Sequence, residues 1–487
     1  MLLVCPRTRP RRVGEYRRVG EYYRSRGPIS CHRISVVLIT VRWVSRYTDP
    51  HTDLIENMAL LKDLMTARKV ARTMLRSRRN RRRVAHQMDE HPLPAPGSVS
   101  VAVYFADTKV NLYQIRQWYA PLAELSKRFP VAIISRSPSS VLALWEESPV
   151  PVAYVRRVAE LEQFVSNQQL KIVFYVNQNA KNFQMFRYGR MWHVFINHGE
   201  SDKMYMTTNQ FKAYDYSFVA GDAALDRLSH KLWDFDIQKR AIPIGRPQAD
   251  HFAGELPYTP DDRTVVLYAP TWEGDREAAA YGSIATHGVA LAHAVLASEK
   301  HRLIYRPHPR SGVVDPEYKR ANIDIIAAIA EANETDPSVQ HIYDDGKELG
   351  WQLVAADVAI TDVSAMVYDR LATGKPLIVA RPVSPEADID EAGYLGSCEW
   401  LRADQADNIL EIVDRIQFDT EAQERLGYWA ERHFGDTTQG SATTRFHDAV
   451  ESLVARWHRH AQIHAGDRQV SEVDPFEEDD ESPATAD

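Results

Sequence analysis

Four short stretches place imidazole, hydroxyl or charged side chains directly behind apolar runs: FINHGES (195–201), YAPTWEG (268–274), YRPHPRSG (305–312) and ITDVSAMVYDRLATGKPLI (360–378). In the last of these, Thr361, Asp362 and Ser364 fall on a turn and residues 365–372 read as a helix. Gly374 suits the C′ position, and Pro376 prevents the helix from continuing. Unpaired N–H groups at a helix start attract phosphate oxygens, and the Thr361 and Ser364 hydroxyls add donors. Asp369 lies about a turn and a half beyond Ser364, where it would accept from ribose hydroxyls of a ligand lying along the helix. For an isolated TDxS, helix capping alone is the commoner explanation.

His308 stands between Pro307 and Pro309, which keep the imidazole out of regular structure, and Arg306 and Arg310 flank it. Two guanidiniums and an imidazole at a strand end make an anion clamp, with an ordinary charged surface turn as the other reading. His198 follows an apolar run and precedes Gly199, which permits close backbone approach. A histidine there can serve as general base near neutral pH, oriented by Glu200 or Asp202, although a lone loop histidine is more often structural. His193, inside the strand, receives no role. Thr271, Trp272 and Glu273 are weaker candidates for contact with a base or phosphates.

Several chemistries are unsupported. The chain has no GxxxxGK[ST], no GxGxxG behind a strand and no HExxH. The triplets DFD (234–236) and DID (388–390) follow no clear strand and read as chance spacings, so no metal is expected. The three cysteines, Cys5, Cys31 and Cys398, are far apart and fit neither a metal site nor a disulfide framework, which suits a reducing cytosol. A net charge of -7 gives no reason to expect nucleic acid as a partner.

The candidate residues are positioned by short, nearly all-apolar strands separated by helices, the pattern of parallel sheets covered on both faces. In a first lobe (99–245), strands fall at 99–105, 131–135, 171–176, 192–197 and 216–220, with helices at 111–128, 158–167 and 222–230. A hinge-like AIPIGRPQAD (241–250) leads to a second lobe (246–465), with strands at 264–269, 302–306, 339–343, 357–361 and 376–380. The expected fold class is α/β, two Rossmann-like parallel-sheet lobes with a basic N-terminal helical segment. Ligands of such sheets bind beyond the carboxyl ends of the strands, where all four stretches fall.

Outside the lobes the composition changes. Residues 1–57, with the near-repeat RRVGEY, read as a disordered basic arm or as a mis-assigned leader ahead of Met58. Residues 58–98 form a basic helix and a proline-rich linker, with the cluster Arg78, Arg79, Arg81, Arg82 and Arg83. Such a segment suits an anionic membrane surface or, as readily, a solvated face. The longest apolar run, 34–41, is too short to span a bilayer, and residues 466–487 are an acidic, disordered tail.

In order and spacing, the four stretches together resemble the CDP-glycerol glycerophosphotransferase family of teichoic-acid synthesis. The matching elements are His198-Gly199, the YAPTW run 268–272, His308-Pro309, and the turn 361–364 through the TGKP at 373–376. The resemblance covers about 99–454 and implies a GT-B fold at the inner face of the cell membrane. It also implies transfer of glycerol phosphate from CDP-glycerol to a hydroxyl of a lipid-linked or polymer acceptor, with release of CMP. By the resemblance His198 would be the base, and His308 and Arg306 would stabilise the transferred phosphoryl group. Thr361, Asp362, Ser364 and Asp369 would hold the donor; no further cofactor is implied. The family continues His-Gly-Thr-Pro-Leu-Lys, whereas this chain reads His198-Gly199-Glu200-Ser201-Asp202-Lys203. Lys203 keeps a cation on the acceptor side, but the added carboxylates alter it. Ribitol phosphate as the transferred group, a GT-B glycosyltransferase or nucleotide-sugar enzyme, and a non-catalytic nucleotide-binding envelope protein are the alternatives.

Overall fold

The computed structural model describes residues 68, 72–200, 207–347, 349–391 and 393–466. The expected arm (1–57), most of the expected basic helix before residue 72, Asp202, Lys203 and the acidic tail from 467 lie outside the described residues. The first lobe is built on seven strands: β1 (Val101–Phe105), β2 (Val131–Ser135), β3 (Val152–Tyr154), β4 (Ile172–Tyr175), β5 (Trp192–Phe195), β6 (Tyr216–Val219) and β7 (Ala241–Pro243). All pairings are parallel, in the order β3-β2-β1-β4-β5-β6-β7. The second lobe has six: β8 (Thr264–Ala269), β9 (His301–Tyr305), β10 (Ile342–Tyr343), β11 (Val358–Thr361), β12 (Leu377–Ala380) and β13 (Glu399–Leu401). Again all are parallel, in the order β10-β9-β8-β11-β12-β13. Strands buried on both faces need continuous apolar sequence, and every residue of β1, β2, β4, β11 and β12 is buried.

Three strands escape the sequence pattern. β3, β7 and β13 have three residues each and lie at or beside sheet edges, where neither length nor apolar continuity marks them. The single helix expected over 111–128 is divided into Leu112–Arg116 and Tyr119–Ser126. Pro121 has no N–H for the Gln117 carbonyl, and the Trp118 indole turns inward to donate to the Asn197 carbonyl at 2.5 Å. Gly374 takes φ +64, the left-handed conformation that ends helix Ala365–Leu371 and starts β12.

The chain crosses back at its end. Helix Ser441–Ile463 follows the second lobe in sequence but packs Phe446, Val450 and Leu453 into the core of the first. The Phe446 ring lies 5.4 Å from Trp118 and 5.9 Å from Phe174, centroid to centroid. A second bridge is helix Thr420–Phe434, whose His433 carbonyl approaches Gly221 so closely that a methyl group there would sit 2.5 Å from it. Only glycine fits that contact. The lobes also meet at the carboxyl ends of both sheets, where Gly199 behind β5 and Arg246 behind β7 approach Ala365 and Asp369 behind β11.

Candidate active site

The first lobe's contribution sits behind β4 and β5. The His198 Nδ1 lies 2.9 Å from the Val176 carbonyl, an acceptor only, so the ring's proton is on Nδ1 and Nε2 keeps its lone pair. Burial lowers the imidazole's pKa to about 4, with the Val176 bond opposing and the nearby Arg246 charge assisting. His198 is thus neutral at physiological pH. Tyr113 presents an edge to it at 5.8 Å. The group that orients His198 is this backbone carbonyl rather than Glu200; Asp202, the other carboxylate expected in that role, lies outside the described residues. The buried Glu200 carboxylate pairs with Arg227 of helix Asp222–Lys231.

Next to His198 the lobes touch. A methyl group built on Gly199 would lie 3.8 Å from the Ala365 Cβ at the start of the second lobe's motif helix, and 3.8 Å from an Arg246 nitrogen. The Arg246 guanidinium is buried, paired with Asp369 of that helix, and donates to Gln117 of the first lobe at 3.0 Å. Asp369, expected along a ribose, is instead enclosed with Arg246. Burial raises its pKa, against the Arg246 charge and hydrogen bond.

The second-lobe motifs form one connected wall. Asp362 is 0% exposed, and one of its oxygens accepts from the Thr271 amide at 2.7 Å and the Ser283 amide at 3.1 Å. Burial pushes its pKa up to about 7, opposed by those bonds. Thr361 is equally inaccessible, its hydroxyl buried without a hydrogen-bond partner. Neither side chain reaches a ligand in the cleft as it stands; Asp362 instead ties the loop behind β8 to the turn behind β11. Ser364 caps its helix, accepting from the Met366 amide at 3.2 Å, and Thr271 is buried, its amide held by Asp362 and its carbonyl by the Tyr318 hydroxyl. Behind β9, the His308 amide donates to the Pro270 carbonyl at 3.1 Å and its Nδ1 accepts from the Arg310 amide at 3.1 Å. That places the neutral ring's proton on Nε2, the tautomer opposite to His198. Arg310 covers the Trp272 ring at 3.8 Å. Arg306 is paired with Asp344 and donates to the Gly346 carbonyl at 3.1 Å. Glu273 accepts from the amides of Gly312, Val314 and Asp315 and so holds the His308 loop.

Sequence reasoning passed over Arg246, Gln117 and Tyr113. Arg246 follows a strand like the other candidates, but β7 is too short to be read as one. It also missed a polar group behind β1 and β4, where Asn177 donates to Gln114 at 2.7 Å and to Asp107 at 3.3 Å.

Residues 151–452, well over half of the chain, match the family described as CDP-glycerol:poly(glycerophosphate) glycerophosphotransferase. The chain belongs to that family. A comparison with curated protein sequences found no match. Among solved structures, the wall teichoic acid polymerase TagF, in a variant soaked with CDPG, aligns at 13% identity with TM-score 0.50, covering 85% of this chain and all of the other. TagF without the soak gives TM-score 0.50 at 13% identity over 80% of this chain and 99% of its own. A putative UDP-N-acetylglucosamine 2-epimerase from Listeria monocytogenes gives TM-score 0.50 at 14% identity over 74% of this chain and 98% of that one. These likenesses establish the GT-B fold, which polymerase and epimerase share. Membership makes the chain a CDP-glycerol glycerophosphotransferase-type transferase, and the fold expected from the sequence is the one observed. Among the described residues, no helix is long and apolar enough to cross a membrane.

Proposed function

We propose that this glycerophosphotransferase takes CDP-glycerol as donor and moves its glycerol phosphate to a hydroxyl of a lipid-linked or polymeric cell-envelope acceptor, releasing CMP. The observation that carries this reading is the opposed tautomers of the two motif histidines. His198 offers an Nε2 lone pair that can take the acceptor's proton as its oxygen attacks the glycerol-bound phosphorus. That P–O bond forms as the bond to the bridging oxygen breaks, and CMP leaves with that oxygen. His308 offers an Nε2–H toward the charge that develops on the transferred phosphoryl group. Arg310 and Ser364 line the donor side. Arg306 supports it through Asp344, and Thr271, Thr361, Asp362 and Asp369 act by shaping the wall rather than by touching the donor. Glu200 and Gly199 shape the acceptor side, to which Lys203 is assigned by sequence alone.

Membrane attachment rests on the helix over 72–87. Arg72, Arg76, Arg78, Arg79, Arg81, Arg82 and Arg83 are exposed on it, beside the exposed Met74 and Leu75. The test of the reaction is incubation with CDP-glycerol, CDP-ribitol and UDP-sugars in the presence of a glycerophosphate-terminated lipid acceptor, with identification of the products. CMP release with acceptor extension is expected. Release of UDP from a UDP-sugar, with no CMP from either CDP-polyol, would overturn the assignment.

A further inference from the structure

We infer that Arg246 is a positioning residue of the cleft, holding the His198 loop and the second lobe's motif helix in register through Gln117 and Asp369, with its guanidinium packed beside Gly199. The inference deepens the proposed function, since it concerns the base on which that reading rests.

Arg246 lies just behind β7, in the stretch that joins the lobes. From there one guanidinium nitrogen reaches Gln117 in the first lobe, at 3.0 Å, and also Asp369 in the second. No other ion pair among the described residues both joins the lobes and lies next to His198. The other interlobe pair beside the first-lobe helix Asp222–Lys231, Arg432 with Asp226, is exposed. The Arg246 Nε is buried without a hydrogen-bond partner, so the side chain is not placed to satisfy itself. A guanidinium is held there by its two charged and polar partners, at the cost of an unpaired N–H.

The placement couples two events. Asp369 is in helix Ala365–Leu371, whose first residue packs against Gly199. If the lobes separate, Arg246 loses one arm, Asp369 is left as a buried carboxylate without its cation, and the Gly199 contact opens. Closing restores all three together. The groups facing His198 are the Val176 carbonyl behind β4, Tyr113 of the helix Leu112–Arg116, and Arg246 behind β7. Glu200 on its own loop is neutralised by Arg227, and Asp369 is neutralised by Arg246. Among these, Arg246 is the cation whose charge acts on the imidazole, so removing it favours the protonated ring.

Three variants of the full chain test this: Arg246→Met, Asp369→Asn and Gln117→Leu. The first readout needs no substrate. The His198 ring is titrated by NMR, and the radius of gyration is followed by small-angle scattering. Arg246→Met should raise the His198 midpoint, through loss of a nearby cation, and should expand the chain. Gln117→Leu, which cuts one neutral arm, should expand it less and leave the midpoint unchanged. Asp369→Asn keeps an acceptor for Arg246 and covers the case in which Arg246→Met does not fold; it should lower the midpoint, because the cation is then unneutralised. With CDP-glycerol, Arg246→Met should lose kcat on the order of 10²-fold, as expected for a misplaced base, while KM for the donor stays within about threefold. An unchanged His198 midpoint in both charge variants, or a loss confined to donor KM, would overturn the inference. If the unaltered chain turns over no CDP-polyol, the proposed function fails, whereas the titration and scattering still decide the role of Arg246.

Discussion

A neutral His198 with its proton on Nδ1 has a direct kinetic consequence. A general base must be deprotonated, so activity should fall as the solution is acidified through the imidazole's own pKa, lowered to about 4 by burial. The acidic limb of kcat/KM should therefore lie well below the 6.5 of an ordinary histidine and activity should be level from about pH 5 to 7. His198→Ala should reduce kcat at least about 10²-fold, the usual contribution of a positioned base, while donor binding, measured by calorimetry, stays near that of the parent. An acidic limb near 6.5, or full turnover by the alanine variant, would remove His198 from the mechanism. Asp362 gives the second residue-scale prediction. Its folded pKa, about 7, lies above the unfolded 3.8, so the folded state binds the extra proton between these values. Stability contributed by the protonated form is present below pH 4 and is lost as pH rises toward 7, a loss on the order of 4 kcal/mol for a three-unit shift. Asp362→Asn cannot ionise and should not show this decline. Urea unfolding of both proteins at pH 5 and 7.5 checks it, and parallel slopes would refute it.

At the scale of elements, the strand-turn-helix unit around β11 shows what the sequence carries and what it leaves out. The helix, its Ser364 cap, its stop at Gly374 and Pro376, and the strands on either side follow from local rules, because capping, left-handed φ and apolar continuity are properties of a few adjacent residues. The environments of Thr361, Asp362 and Asp369 do not follow from such rules. Whether a carboxylate at a strand end faces a ligand or a loop depends on where residues some ninety positions away, such as Thr271, put their amides. For the same reason His198 and His308 were recognisable by type and position, but the tautomers that distinguish their chemistry are set by Val176 and Arg310 backbone groups. Arg370 was invisible beside Asp369. It is fully buried and donates to the carbonyls of Leu353, Ala356, Asp357 and Pro376, fixing the entry to β11 and β12. Arg370→Met takes a donor from each of these carbonyls, of which Pro376 keeps the Ala359 amide, and should cost about 3 kcal/mol, read as a lower urea midpoint with the same m-value. A change under 1 kcal/mol would mean that water replaces the guanidinium.

At the scale of the whole molecule, the two lobes and the returning helix make one body, and the basic segment is joined to it more firmly than a linker would be. Val84 of the helix over 72–87 is buried in the first lobe's core, and His91 stacks on Trp145 at 4.5 Å. A chain cut at Val99 would lose a core residue along with the arginines, so its behaviour would not isolate their charge. Replacing Arg78, Arg79, Arg82 and Arg83 by Gln keeps Val84 and the Arg81 bond to Ser77 in place. Each near-surface cation contributes about 1 kcal/mol to attraction by an anionic leaflet. Four replacements should therefore weaken binding to vesicles containing anionic phospholipid by roughly two to three orders of magnitude, and binding by the parent should fall with added salt. Vesicles of neutral lipid should not distinguish the two proteins. Equal sedimentation of parent and variant with anionic vesicles would place the acceptor's lipid end elsewhere on the molecule, and the arginine face would then be a solvated one.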